Sequence, residues 1–170
     1  MDKKTLRAQA LTRRKQIPVE EQNLIAEMLT KKLIESEIFK TSKSIGIYYP
    51  IHQEINLLPL IELYPDKDFY IPNIEQGKVK FRLVKRIDNL VDAPFNLKEA
   101  PRTNPSIEDC ELYVIPCVAT SKLVRIGYGK GFFDAYLVDK KGYKLGIVYP
   151  GFKYDYDLQE SHDVLLDDIL

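Results

Sequence analysis

The chain has 170 residues, 45% of them apolar, enough for one domain spanning 1–170 with a core of its own. Its 25 lysines and arginines balance 25 aspartates and glutamates, so it lacks the basic excess of a nucleic-acid binder. No apolar run approaches the ~20 residues of a membrane span, the charged N-terminus has no signal-peptide core, and Cys110 and Cys117 are too few for a disulfide framework; both are expected as buried, reduced thiols of a cytoplasmic protein.

Asp2 can cap a helix that starts at Lys3 and carries Leu6, Ala10, Arg13 and Ile17 at three-to-four spacing until Pro18 breaks it. A second helix begins near Glu20, with Leu24, Met28, Leu29, Leu33 and Ile34 as its apolar stripe. Ser44 to Tyr49 reads as a buried strand. A short helix follows over Leu57 to Leu63, started by Asn56. Phe69 to Pro72 and Lys78 to Val84 are further strand candidates. Residues 88–109 hold prolines and little periodicity and read as a long loop, a length that is often functional. Leu112 to Ala119 is a strongly apolar strand, with a glycine-rich loop, a helix over Phe132 to Val138 and a strand over Tyr143 to Tyr149 after it. Strands alternating with helices predict an α/β fold: a single-domain open sheet, at least partly parallel, flanked by helices on both faces.

The segment Arg125-Ile126-Gly127-Tyr128-Gly129-Lys130-Gly131-Phe132-Phe133-Asp134 concentrates the chemistry. Glycines let successive N–H groups converge on an anion. Arg125 and Lys130 add positive charge, and Asp134 is a candidate ligand for a divalent cation. A tight strand-to-helix turn without a ligand is the other reading of these residues. The dinucleotide fingerprint needs a glycine at position 132, which is Phe, and the Walker loop needs Ser or Thr after its Gly-Lys, where this chain has Gly131.

The segment resembles the R-L-G-x-G-x-G-Y-Y-D loop of the 5-formyltetrahydrofolate cyclo-ligase family. That resemblance runs from Lys3 to Asp163. It implies conversion of 5-formyltetrahydrofolate to 5,10-methenyltetrahydrofolate, with ATP as co-substrate and Mg2+ as metal. The partners are then small molecules, with no nucleic acid and no membrane, and a monomer is expected. By the resemblance, Lys3 and Arg7 match a K-x-x-x-R pair that contacts ATP phosphates. The loop residues Arg125, Gly127, Tyr128, Gly129, Lys130, Gly131, Phe132 and Phe133 complete the ATP site, with Arg125 and Lys130 as the catalytic cations. Glu54 matches a folate-contacting glutamate; Tyr49, near the strand end, reads as a pocket wall or as a plain core tyrosine. Phe95 matches an aromatic that covers the pterin, and Asp163 joins Asp134 around the metal.

Each residue also has a plainer reading. Lys3, Arg7 and Arg14 point within roughly 40° of one another on a helical wheel, which places three cations on one face, opposite the apolar stripe; an ordinary solvated face looks the same. Glu54 serves equally as a helix-start carboxylate, Phe95 as a plug pinning its loop, Asp163 as a surface acid and His52 as a surface loop residue. A small-molecule kinase and a phosphate-binding regulatory module are the alternative functions. The chain departs from the family at Asn73, where an arginine is common, and at Phe132 and Phe133, where two tyrosines stand.

Overall fold

The computed structural model describes all 170 residues. Five helices, α1 (Lys3–Lys15), α2 (Val19–Glu35), α3 (Glu37–Thr41), α4 (Pro59–Leu63) and α5 (Phe132–Leu137), alternate with twelve strands. Seven of these form one sheet: β1 (Ser44–Gly46), β2 (Asp68–Glu75), β3 (Lys78–Val84), β6 (Ser106–Ile107), β7 (Leu112–Pro116), β10 (Tyr143–Ile147) and β12 (Asp168–Ile169), in the order β12-β10-β7-β1-β2-β3-β6. The run from β12 to β2 is parallel, whereas β3 and β6 are antiparallel. The sheet is thus partly parallel, as expected. β8 (Ala119–Ser121), β9 (Val124–Ile126) and β11 (Lys153–Tyr154) form a second, three-stranded sheet, and β4 (Val91–Ala93) pairs with β5 (Leu97–Glu99) as a small hairpin.

β7 is buried at every position, which suits a central parallel strand covered on both sides. One cluster of 37 buried apolar residues fills the interior. Tyr136 of α5 packs on Phe81 and Tyr113, centroids 4.9 and 5.8 Å away, so α5 covers that face. Its hydroxyl meets that of Tyr113, which also bonds Asp109. α1 lies on β8 and β9 through Leu6 and Ala10, both fully buried.

The structure corrects four expectations. The basic face of α1 is not opposite its apolar stripe: Arg14 is buried with Leu6 and Ala10. On the wheel Ala10 stands only about 40° from Arg14, so the cations border the stripe. In α2, Leu29 and Leu33 are buried, while Leu24 is 67% and Met28 39% exposed. The glycine loop does not follow β7 at once; the β8–β9 hairpin intervenes, turning at Lys122 with φ 51°. Residues 88–109 are not structureless, because they contain β4, β5 and β6. Asn73, fully buried, holds this segment: its Nδ2 donates to the Ala100 carbonyl at 2.8 Å and its Oδ1 accepts from Ala100 N–H at 3.0 Å. The residue that departs from the family is therefore an anchor for the β4–β5 hairpin.

Candidate active site

The N-terminal half of α1, the 127–131 loop, the start of α5 and the segment Glu160–Asp163 enclose a cavity of about 440 Å3. Its walls are Lys3, Arg7, Arg125, Gly127, Gly129, Gly131, Asp134, Ala135, Val138, Glu160, His162 and Asp163. Asp2 starts α1 by accepting from Thr5 N–H at 2.7 Å, and burial of Leu6 and Ala10 fixes the rotation of the helix. Lys3 and Arg7, one turn apart, are thereby aimed into the cavity. Arg7 Nε donates to the Gly127 carbonyl at 2.5 Å. A Cβ on Gly129 would lie 3.3 Å from the Arg7 guanidinium, and that residue sits at φ +94°, where side chains are strained. A Cβ on Gly127 would come within 2.5 Å of Arg125. Arginines press against the backbone at Gly127 and Gly129, whereas Gly131 has open space around it and is set by its left-handed φ of +73°.

Arg125 spans the two sheets: its Nε donates to the Pro116 carbonyl at 2.9 Å. This bond brings the loop back to the carboxyl end of β7, where open α/β sheets place ligands. The guanidinium lies 5.0 Å from the Phe133 centroid. Burial raises the Asp134 carboxyl above the usual range; the Arg125 charge opposes that rise and Asp163 adds to it. Asp163 accepts from Lys3 Nζ at 2.6 Å, and Glu160 does so at 2.8 Å. Burial works against the Lys3 ammonium, yet these bonds outweigh it and its pKa is raised. Ligand atoms of Glu160, His162 and Asp163 lie within 4.8 Å of one another. Asp134 and Asp163 offer hard oxygen donors on one cavity, a set that suits Mg2+ completed by phosphate and water.

The other expected residues take different positions. Glu54 is half-buried outside this cavity, where its Oε2 accepts from Ile51 N–H at 2.9 Å. Burial raises its pKa to about 7, against the Ile51 bond and the charges of Arg14 and Arg125. Tyr49 stands half-buried at the end of the chain segment that continues β1. Phe95 is 80% exposed at the tip of the β4–β5 hairpin, in the left-handed region at φ 63°. Its ring meets the Lys130 ammonium, 4.4 Å from the centroid. Phe95 and the loop lysine thus touch, while Lys130 stays outside the cavity wall. Phe132 is exposed, and Phe133 packs beside Arg125 and Phe81. The Tyr128 side chain turns away from the cavity toward His52 and Arg14. Sequence reasoning left out Arg14 as a site residue; its burial depends on what α1 packs against, which no local pattern records. Cys110 and Cys117 are buried and unpaired, with thiols pushed up by burial to about 12 and about 11, so neither is a nucleophile.

A family model described as the 5-formyltetrahydrofolate cyclo-ligase family matches residues 1–170. The 5-formyltetrahydrofolate cyclo-ligase of Mycoplasma genitalium is 29% identical over 176 residues, spanning 100% of this chain and 98% of the relative. The namesake of Mycoplasma pneumoniae is 29% identical over 174 residues, with the same coverage. The solved structure of Aquifex aeolicus 5,10-methenyltetrahydrofolate synthetase superposes with a TM-score of 0.87 at 28% identity, covering 98% of this chain and 88% of that one. The synthetase structure from Mycoplasma pneumoniae, 23% identical with a TM-score of 0.78 over 99% of this chain and 98% of that one, shares the fold. Matched along its whole length, the chain belongs to the 5-formyltetrahydrofolate cyclo-ligase family.

Proposed function

We propose that the chain converts 5-formyltetrahydrofolate and ATP to 5,10-methenyltetrahydrofolate, ADP and phosphate, with Mg2+ bound by Asp134 and Asp163. The observation that carries this reading is the convergence of Lys3, Arg7 and Arg125 with two carboxylates and a glycine loop around one cavity. An N-formyl group is an amide and a poor electrophile, because its nitrogen lone pair is delocalised. Phosphorylation of the formyl oxygen by the γ-phosphate of ATP makes that oxygen a leaving group. N10 then attacks the formyl carbon and gives up its proton, the C–O bond breaks with its electron pair leaving on phosphate, and the five-membered ring closes. The protein positions the reactants and stabilises charge.

Lys3, Arg7 and the loop N–H groups hold phosphates in this reading. Arg125 faces the charge that develops on the transferred group, as cations do in phosphoryl transfer generally, and Lys130, outside the cavity wall in the ligand-free protein, is the second cation assigned to that charge. Mg2+, when bound, neutralises phosphate charge and orients the triphosphate. Glu54 and Tyr49 form the folate wall, the carboxylate accepting N–H bonds from the pterin, and Phe95 closes over the ring. No helix is long and apolar enough to cross a membrane, and we place the enzyme in the cytoplasm as a monomer.

The test mixes protein, Mg-ATP and 5-formyltetrahydrofolate and follows the methenylfolate absorbance band, with ADP measured in parallel. Methenylfolate and ADP should form one to one. Asp134→Asn should abolish turnover with the fold intact, since a neutral amide is a weaker magnesium ligand. A phosphorylated folate without cyclisation would instead identify a kinase, and no folate-dependent ADP would refute the reading.

A further inference from the structure

Arg14 is 1% exposed, the largest of the fully buried side chains, yet it is charged and forms no ion pair. One guanidinium N–H donates to the Tyr128 hydroxyl, and the guanidinium carbon stands 5.9 Å from that ring's centroid. Its Nε has no partner at all. An unpaired buried cation is costly for a fold, and a buried Met or Leu would fill the same space more cheaply. The charge must therefore act on something nearby.

Two groups stand in its field. Tyr128 is the middle residue of Gly127-Tyr128-Gly129, so a bond to its hydroxyl fixes the loop whose backbone lines the charged cavity. Glu54 is the other: Arg14 of α1 and Arg125 of β9 are the two cations whose charge favours its ionised form. The remaining groups coupled to Glu54 are the Tyr48 and Tyr128 hydroxyls and the Cys117 thiol, all uncharged at neutral pH. The Tyr149 hydroxyl donates to the carbonyl of the preceding residue, Gln53. Arg125 also faces the charged cavity, whereas Arg14 is absent from the cavity wall.

We propose that Arg14 is a positioning residue that ties the nucleotide side of the site to the folate side. It holds Tyr128, and with it the glycine loop, and the Tyr128 ring in turn packs against His52, centroids 5.6 Å apart, two residues before Glu54. The geometric part stands by itself; the catalytic consequence rests on the cyclo-ligase reading above. One buried side chain then sets two substrate contacts that the chain separates by more than seventy residues.

Three variants separate the parts. Arg14→Met removes charge and bond, Arg14→Lys keeps the charge, and Tyr128→Phe removes only the hydroxyl. Circular dichroism and Tm establish folding first. In the ligand-free protein, 13C NMR of the Glu54 carboxyl reads its titration directly. The midpoint should rise by about one pH unit or more in Arg14→Met, a tenfold change in proton affinity, and return toward wild type in Arg14→Lys. In turnover, the acid limb of kcat/KM for 5-formyltetrahydrofolate should move up with that midpoint in Arg14→Met alone. Tyr128→Phe should keep the acid limb and raise the KM for ATP severalfold. A folded Arg14→Met with a wild-type titration midpoint and both KM values unchanged would make Arg14 a packing residue and overturn the proposal. If Arg14→Met does not fold, unchanged KM values for both substrates in Arg14→Lys and Tyr128→Phe overturn it equally. Lack of turnover by the wild type would sink the cyclo-ligase reading, while the NMR titration would still decide the charge effect.

Discussion

Lys3 and Asp163 close the site across 160 residues of chain, the ammonium lying 2.6 Å from both carboxylate oxygens. Both ends are shielded, with side chains 17% and 6% exposed, so this pair resists salt screening better than a surface one. In the ligand-free protein Lys3 thus satisfies a carboxylate assigned to Mg2+, while the proposed reaction needs the same ammonium on phosphate. Lys3→Met should bind Mn2+, used as a magnesium substitute, severalfold more tightly without nucleotide, and should raise the KM for ATP. Electron paramagnetic resonance of free Mn2+ gives the affinity. Equal affinity in both proteins would show that Lys3 and the metal do not share Asp163.

Arg7 makes its own prediction. Its Nε is already engaged by the Gly127 carbonyl at 2.5 Å, leaving the terminal nitrogens to reach a phosphate. Arg7→Ala should raise the KM for ATP far more than that for folate. One lost charge-assisted bond is worth about 1.5–3 kcal/mol, roughly tenfold to a hundredfold. Nucleotide titration decides it, and unchanged affinity would leave Arg7 as a brace for the loop only.

Much of this site was legible because its signals are local. The Asp2 cap, the alternation of glycines in 127–131 and the carboxylate at 134 can each be read within a few residues of sequence. Arg14 was not legible in this way. Its wheel position shows that it borders Leu6 and Ala10, but only the packing of α1 on β8 and β9 turns that border inward. The β4–β5 hairpin escaped for another reason. Its strands are three residues long, too short for a period-two pattern, and its turn puts Phe95 and Asn96 at positive φ without the Asn-Gly pair that usually marks such turns. Asn73 looked like a lost cation; its side-chain bonds to the Ala100 backbone join positions that sequence distance hides.

Phe95 is held in a conformation that bulky residues avoid. A left-handed φ of 63° costs a non-glycine residue of order 1–3 kcal/mol, and an 80% exposed ring regains little by packing. Such strain at a loop tip is consistent with a residue kept for a ligand. Phe95→Gly should leave the free protein as stable or up to about 1 kcal/mol more stable, while weakening folate binding by about 1–3 kcal/mol, the scale of base–aromatic stacking. If the ring covers the pterin as proposed, its loss should also admit water to the activated intermediate, so ADP should outrun methenylfolate. Thermal denaturation and a paired product assay test both halves. A destabilised variant with wild-type folate affinity and one-to-one products would mean that the ring only pins its hairpin.

Glu54 links function to stability through pH. Its carboxyl titrates near 7 in the folded protein against an ordinary 4.5, chiefly because burial disfavours the charged form. Between those values the folded state holds a proton that the unfolded chain has lost. Stability therefore falls as pH rises from about 4.5 to about 7 and stays lower above that window. At about 1.4 kcal/mol per unit, the full effect is roughly 3 kcal/mol. Glu54→Gln removes the titration and keeps the shape. It should match wild type near pH 4.5 and exceed it by up to roughly 3 kcal/mol at pH 8, yet lose folate affinity because an amide is a weaker acceptor for the pterin N–H groups. Urea unfolding at several pH values, with folate binding measured on the same samples, makes the comparison. Parallel stability profiles for the two proteins would mean that Glu54 titrates like a solvated carboxylate, and the folate wall would then have to be sought elsewhere.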